Sequence, residues 1–135
     1  MRILLVEDEV VVALSMELLL AEQGHRVVAH ARDSRSALVL AHEKRPDLAL
    51  VDVLLADGAT GPELGRRLVA ELKVRLIFMT ANVELLPEDF AGALGVVPKP
   101  TADHVLTGAV AYVAERMRGR RPDRVPPGLI LAPRR

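Results

Sequence analysis

Cysteine is absent from the 135 residues, which excludes disulfides, thiolate metal sites and a cysteine nucleophile and suits a reducing, cytoplasmic setting. Tryptophan is absent too, and aromatics make up 2% of the chain. No ring platform exists for stacking bases or sugars, so the core must draw on the aliphatics among the 50% of residues that are hydrophobic. No apolar run approaches the ~18 residues of a membrane span. The N-terminus enters a short aliphatic run and then a charged block, which is not the pattern of a signal peptide, so a soluble protein without a membrane partner is expected. Neither a GxGxxG nor a Walker-type loop occurs, so nucleotide binding is not expected. Lysine is scarce, at positions 44, 73 and 99 only.

The length fits one domain with a sizeable core. The formal net charge of zero conceals an asymmetry: residues 118–135 carry six Arg against Asp123 alone, so they sum to +5 and the other 117 residues to −5. Four of the nine prolines fall in the same segment. The organisation expected is therefore a domain over 1–117 followed by a basic, proline-rich tail over 118–135, irregular and adding nothing to the core. An alternative is that its apolar centre, Leu129-Ile130-Leu131, docks on the acidic body or on a partner. The tail has no DNA-binding helix pattern and no interleaved aromatics, so DNA binding is not expected.

The body alternates. Short aliphatic runs of β type stand at 2–6 (RILLV), 26–31 (RVVAHA), 48–51 (LALV), 74–79 (VRLIFM) and 95–97 (GVV). Helical patterns lie between them: 10–23 up to Gly24, a segment capped by Asp33 or Ser34 and stopped before Pro46, one opening at Pro62, a shorter one over 84–94, and one over 102–117 that Thr101 can cap. Tyr112 shares the core-facing spacing of the last. Continuously apolar strands joined by helices imply an α/β fold, a doubly wound five-stranded parallel sheet with helices on both faces.

In such a sheet all strands run one way, and ligands bind beyond the carboxyl ends where the strand order reverses. Strand one ends in Glu7-Asp8-Glu9, strand three in Asp52, strand four in Thr80 and strand five in Lys99, between Pro98 and Pro100. With the order 2-1-3-4-5, Glu7, Asp8 and Asp52 converge on one pocket flanked by Thr80 and Lys99. Three carboxylates share a pocket only around positive charge, and a hard divalent ion such as Mg²⁺ suits oxygen donors. Cation, ammonium and hydroxyl around one acid suit the charge that develops on a transferring phosphoryl group, with Asp52 as the nucleophile. Glu9 belongs to the first turn of the following helix, where the dipole favours an acid.

These residues resemble the receiver domain of two-component response regulators: VEDE with its acidic pair Glu7 and Asp8, LALVD with Asp52, FMTA with Thr80 and VPKP with Lys99. The resemblance spans about residues 1–117 and implies a flavodoxin-like fold with five helices. It implies Asp52 as phosphoacceptor, Thr80 as switch hydroxyl, and a Lys99–Pro100 bond that is often cis. Mg²⁺ would be held by Asp8, Asp52 and the backbone carbonyl of Leu54, with Glu7 acting through water. The phosphoryl donor would be a histidine kinase or a histidine phosphotransfer protein, and the output a downstream protein partner or a homodimer. The chain would catalyse only its own phosphorylation and dephosphorylation.

Two departures stand out. Receivers usually carry Tyr or Phe three residues before the lysine, and here that position is Val96. The loop after Asp52, VLLADGATG, lacks the common proline and is about one residue longer. That loop, with IFMTA, resembles single-domain regulators and receivers attached to general-stress regulators of α-proteobacteria. The reading reached is a stand-alone receiver. Its alternatives are a Mg²⁺-dependent phosphatase or phosphotransferase with an aspartyl phosphate, or a pseudo-receiver that only binds. Asp52-Val53-Leu54 lacks the DxD motif of the former, and no segment supplies a cap domain.

Overall fold

The unbroken aliphatic run Ile3–Val6 is almost wholly shielded from solvent, none of its residues being more than 1% exposed. Burial on both faces is what such a run requires in a parallel sheet. In the computed structural model, which describes residues 1–133, it forms β1 (Arg2–Val6), followed by α1 (Val10–Glu22), β2 (Arg26–Ala31) and α2 (Ser34–Lys44). Next come β3 (Leu48–Asp52), α3 (Gly61–Leu72), β4 (Arg75–Thr80), β5 (Gly95–Pro98), α4 (Asp103–Met117) and β6 (Ile130–Leu131). The sheet order is β2-β1-β3-β4-β5-β6, parallel throughout except that β6 runs antiparallel to β5. The 2-1-3-4-5 order thus stands, and the reversal falls between β1 and β3.

Alternate strand residues feed two separate cores. Leu4, Val6, Ala49 and Val51 pack on the side of α2 and α3, with Phe78 the largest side chain there. Ile3, Leu5, Leu48 and Leu50 pack on the side of α1 and α4, where Tyr112 joins the core. Helix ends follow local chemistry: the Asp33 carboxylate accepts from the Ser36 backbone N–H at 2.8 Å, and Pro62 occupies the first turn of α3, where no backbone donor is needed.

Three expectations are corrected. The helix expected over 84–94 is a pair of 3₁₀ turns, Val83–Leu85 and Phe90–Gly92, so four α-helices are found among the described residues. Pro87 forces Leu86 into the extended region (φ −82°, ψ 143°), which a helix cannot pass. Phe90, Ala91 and Gly92 then take positive φ and fold the chain back. Second, Thr101 does not cap α4: its hydroxyl donates to the Pro98 carbonyl at 3.1 Å and Ala102 holds the cap position.

Third, the tail does contribute to the core. Leu129 is 6% exposed within the α1–α4 core, and residues 130–131 add a sixth strand to the five expected. Proline and arginine content signals irregular backbone, but it does not weigh a three-residue apolar centre against an open strand edge. Arg134 and Arg135, two of the six tail arginines, lie outside the described residues.

Candidate functional site

Outside one small region, no polar or charged residue among the described ones is buried. The three that are, Glu7 (0% exposed), Asp52 (8%) and Thr80 (1%), all stand at the carboxyl edge of the sheet. Glu7 follows β1 directly, its backbone N–H donating to Ala31 at the end of β2 at 2.9 Å. Asp52 is the last residue of β3 and Thr80 the last of β4. Each of these strands is a buried apolar run, so its final residue is carried to the edge by a rigid element.

Lys99 ties the cluster together. Its ammonium donates to Glu7 Oε2 at 2.9 Å and to Asp52 Oδ2 at 2.7 Å. Its own backbone N–H donates to the Thr80 carbonyl at 2.8 Å, and the Lys99–Pro100 bond is cis. Burial works against the ammonium, but its hydrogen bonds to Asp52 and Glu7 outweigh it and raise the Lys99 pKa. Burial also raises the Glu7 carboxyl above its ordinary range, against the opposing pull of Lys99 and with added repulsion from Asp52.

Carboxylate oxygens of Glu7, Asp8 and Asp52 lie within 4.8 Å of one another, close enough to share one cation. Their engagement differs. Both Glu7 oxygens are occupied, one by Lys99 and one by the Glu9 backbone N–H at 3.3 Å. Asp52 accepts from Lys99 and, at 3.3 Å, from the Leu54 backbone N–H. Asp8 is partly exposed, and no hydrogen bond or ion pair to its carboxylate is found among the described residues. Glu7 and Asp52 are engaged alike, so Asp8 is the acid with oxygens most open to a hard cation, and of the other two Asp52 is the more exposed, at 8% against 0%. Glu9 holds the N-cap position of α1, exposed and without a side-chain cap bond, apart from this cluster.

Some supporting contacts had no signal in the sequence. Gly61, at the start of α3, packs so tightly on the β3 end that a Cβ there would stand 2.3 Å from the Asp52 carbonyl and 2.7 Å from Val53 Cα. A glycine beside a proline reads as a helix start, not as the seat of a strand that ends nine residues earlier. The β2 end, which offers no acid, holds the acidic turn by its backbone: the His30 ring meets the Glu7 carbonyl at 2.8 Å, and Arg32 Nε donates to the Asp8 carbonyl at 3.1 Å. Val96, where a receiver's aromatic would stand, is fully buried and pairs with Ile130 of β6. The Thr80 hydroxyl accepts from the Asn82 backbone N–H at 3.0 Å.

Comparison with known proteins points to one family. The family profile of the response regulator receiver domain matches residues 3–111. The phyllosphere-induced regulator PhyR of Methylorubrum extorquens is 41% identical over 84 residues, which is 62% of this chain and 32% of that protein. The transcriptional regulatory protein AfsQ1 of Streptomyces coelicolor is 35% identical over 117 residues, 84% of this chain and 51% of that protein. The chain thus spans between a third and about half of these relatives. Among solved structures, the receiver domain of PhyR from Erythrobacter litoralis superposes with a TM-score of 0.75 at 25% identity, covering 84% of this chain and 88% of that one. The anti-anti-sigma factor PhyR from Bartonella quintana gives 0.74 at 26%, covering 87% and 49%. No helix among the described residues is long and apolar enough to cross a membrane.

Proposed function

The chain belongs to the response regulator receiver domain family, and from that footing we propose that Asp52 is its phosphoacceptor, charged by a histidine kinase or a histidine phosphotransfer protein. The observation that carries the reading is the convergence of every buried polar residue described, Glu7, Asp52 and Thr80, on one sheet edge under the Lys99 ammonium. In the reaction an Asp52 carboxylate oxygen forms a bond to phosphorus as the donor's N–P bond breaks, the departing imidazole keeping the electron pair. Lys99 holds one Asp52 oxygen and the Leu54 N–H the other, so the carboxylate meets the donor in a fixed orientation. The ammonium offsets the negative charge arriving with the phosphoryl group, and the Thr80 hydroxyl supplies a donor at the same edge.

An all-oxygen donor set fits Mg²⁺. Asp8, Asp52 and the Leu54 carbonyl would hold it, with Glu7, the more deeply buried acid, acting through water. When bound, it supplies further positive charge to the phosphoryl oxygens. Outward-facing apolar residues on α1, Val11 (76% exposed) and Leu18 (69%), offer a docking face for the donor protein near the acids. The output is a change in protein contacts, a reading that the anti-anti-sigma factor among the structural neighbours supports. In this scheme residues 1–117 are the receiver body and 118–135 an appended segment.

Intact-mass measurement after incubation with acetyl phosphate and Mg²⁺ tests the proposal. One phosphate on the wild-type chain, none on Asp52→Ala and none with the metal chelated are expected. No adduct on the wild type from any donor would favour a receiver that binds without being phosphorylated.

A further inference from the structure

The edge of β5 is occupied by the chain's own segment 126–132. Ala132 N–H donates to the Leu94 carbonyl at 2.9 Å, and Leu131 and Ile130 pair with Gly95 and Val96. Leu129 inserts into the α1–α4 core. The fit is close and runs through glycines. A Cβ on Gly95 would meet Ile130 O at 2.5 Å, and all three of its nearest neighbours belong to the segment. A Cβ on Gly128 would meet Val105 of α4 at 2.4 Å, and Pro126 lies 3.4 Å from the Cβ position of Gly108. The body therefore presents a groove, floored by β5 and walled by α4, whose shape admits an extended strand.

The occupant is held lightly. It pairs over two residues and buries one large side chain, and Ile130 is 45% exposed. It hangs on residues 118–128, whose ends Gly119 and Gly128 both take positive φ. Segments with so few buried contacts open at free energies far below that of global unfolding. An opened β5 edge would offer unpaired backbone groups and a vacated leucine site, which is what strand addition by a peptide uses.

We propose that the β5–α4 groove is a strand-accepting docking surface, that segment 126–132 is its built-in competitor, and that the partner it fits is an extended apolar segment with leucine at the position of Leu129 and backbone against Gly95. The inference concerns the unphosphorylated chain and does not rest on the role of Asp52.

The test uses the full chain and a fluorescent synthetic peptide of residues 125–133, followed by anisotropy. Ile130→Pro removes a backbone donor from the resident strand at a half-exposed position. The peptide should bind this variant about tenfold or more tightly than wild type, since the competitor loses a backbone donor beside its anchoring Leu129. Adding Gly95→Ala should abolish that binding, because the new methyl meets the incoming backbone. Equal binding to wild type and Ile130→Pro, or binding insensitive to Gly95→Ala, overturns the proposal. So does concentration-dependent dimerisation of Ile130→Pro that excludes the peptide, which would make a second copy the occupant. An independent readout needs no variant: in wild type, amides of 129–132 should exchange hydrogen much faster than those of β1 and β3. Exchange as slow as in those central strands counts against a detachable segment.

Discussion

Lys99 shows how one residue sets the state of the whole cluster. Its ammonium is the counter-charge for two carboxylates that are almost fully buried. Replacing it by methionine keeps the stem and removes the charge. Breaking a fully buried pair costs about 3–5 kcal/mol. Here the Lys99 side chain is 25% exposed, so water can partly substitute, and a loss of about 2 kcal/mol at pH 7 is expected. The Glu7 carboxyl, already raised by burial, would rise further. A carboxyl raised in the folded state contributes stability that is present at acid pH and lost as pH climbs through the raised value. The deficit of Lys99→Met should therefore shrink as the pH falls toward the ordinary glutamate value of 4.5; urea titrations at neutral and acid pH measure it. A deficit constant with pH would mean that the stem's packing, and not the charge, is what was lost. At this scale the sequence was informative: each residue of the site closes an aliphatic strand run, and strand ends are countable. What it left out were backbone donors such as those of Leu54 and Glu9, because every residue has an N–H and nothing in its identity says where it points.

Elements position the site as much as side chains do, and Gly61 is the clearest case. The start of α3 presses on the Asp52–Val53 backbone, whereas a Cβ on Gly65, one turn later, would meet the end of the Phe78 ring at 2.5 Å. Both Gly→Ala substitutions overfill the interior and should each cost about 1–3 kcal/mol. Only Gly61→Ala displaces the strand end that carries the acceptor. It should slow labelling by acetyl phosphate severalfold, while Gly65→Ala leaves the labelling rate near wild type under folding conditions. Equal effects on labelling would reduce Gly61 to an ordinary packing glycine. Elements with a single strong period, such as α3 and the five strands of the body, were legible from residue pattern. The segment 84–94 was not, because its apolar residues Val83, Leu86 and Phe90 keep helical spacing while Pro87 and three successive positive-φ residues set a different backbone.

For the whole molecule, the sheet divides the interior into two cores that share no buried residue. Substitutions on opposite sides should then act independently. Ile3→Val, in the α1–α4 core, and Leu76→Val, in the α2–α3 core, should each cost about 1 kcal/mol, and the double variant should equal their sum within about 0.5 kcal/mol. Chemical denaturation of the three variants measures this, and a larger coupling would mean that the sheet transmits packing strain between its faces. The order of the first five strands was legible as the one that makes β1 and β3 neighbours and so brings Glu7, Asp8 and Asp52 together. The sixth was not, since two paired residues and one buried leucine leave hardly any periodic trace.

That sixth strand also bears on solubility. A parallel sheet ending on β5 would present Gly95, Val96 and Val97, apolar and without a charge, as a template on which other chains could stack. Instead the sheet ends on two residues bracketed by Pro127 and Pro133, neither of which can donate a backbone hydrogen bond. Neither proline can extend the ladder, and Arg121 and Arg124 add like charge to the segment that leads into it. The basic, proline-rich composition that reads as irregular backbone thus ends the sheet on a strand poorly suited to template another chain.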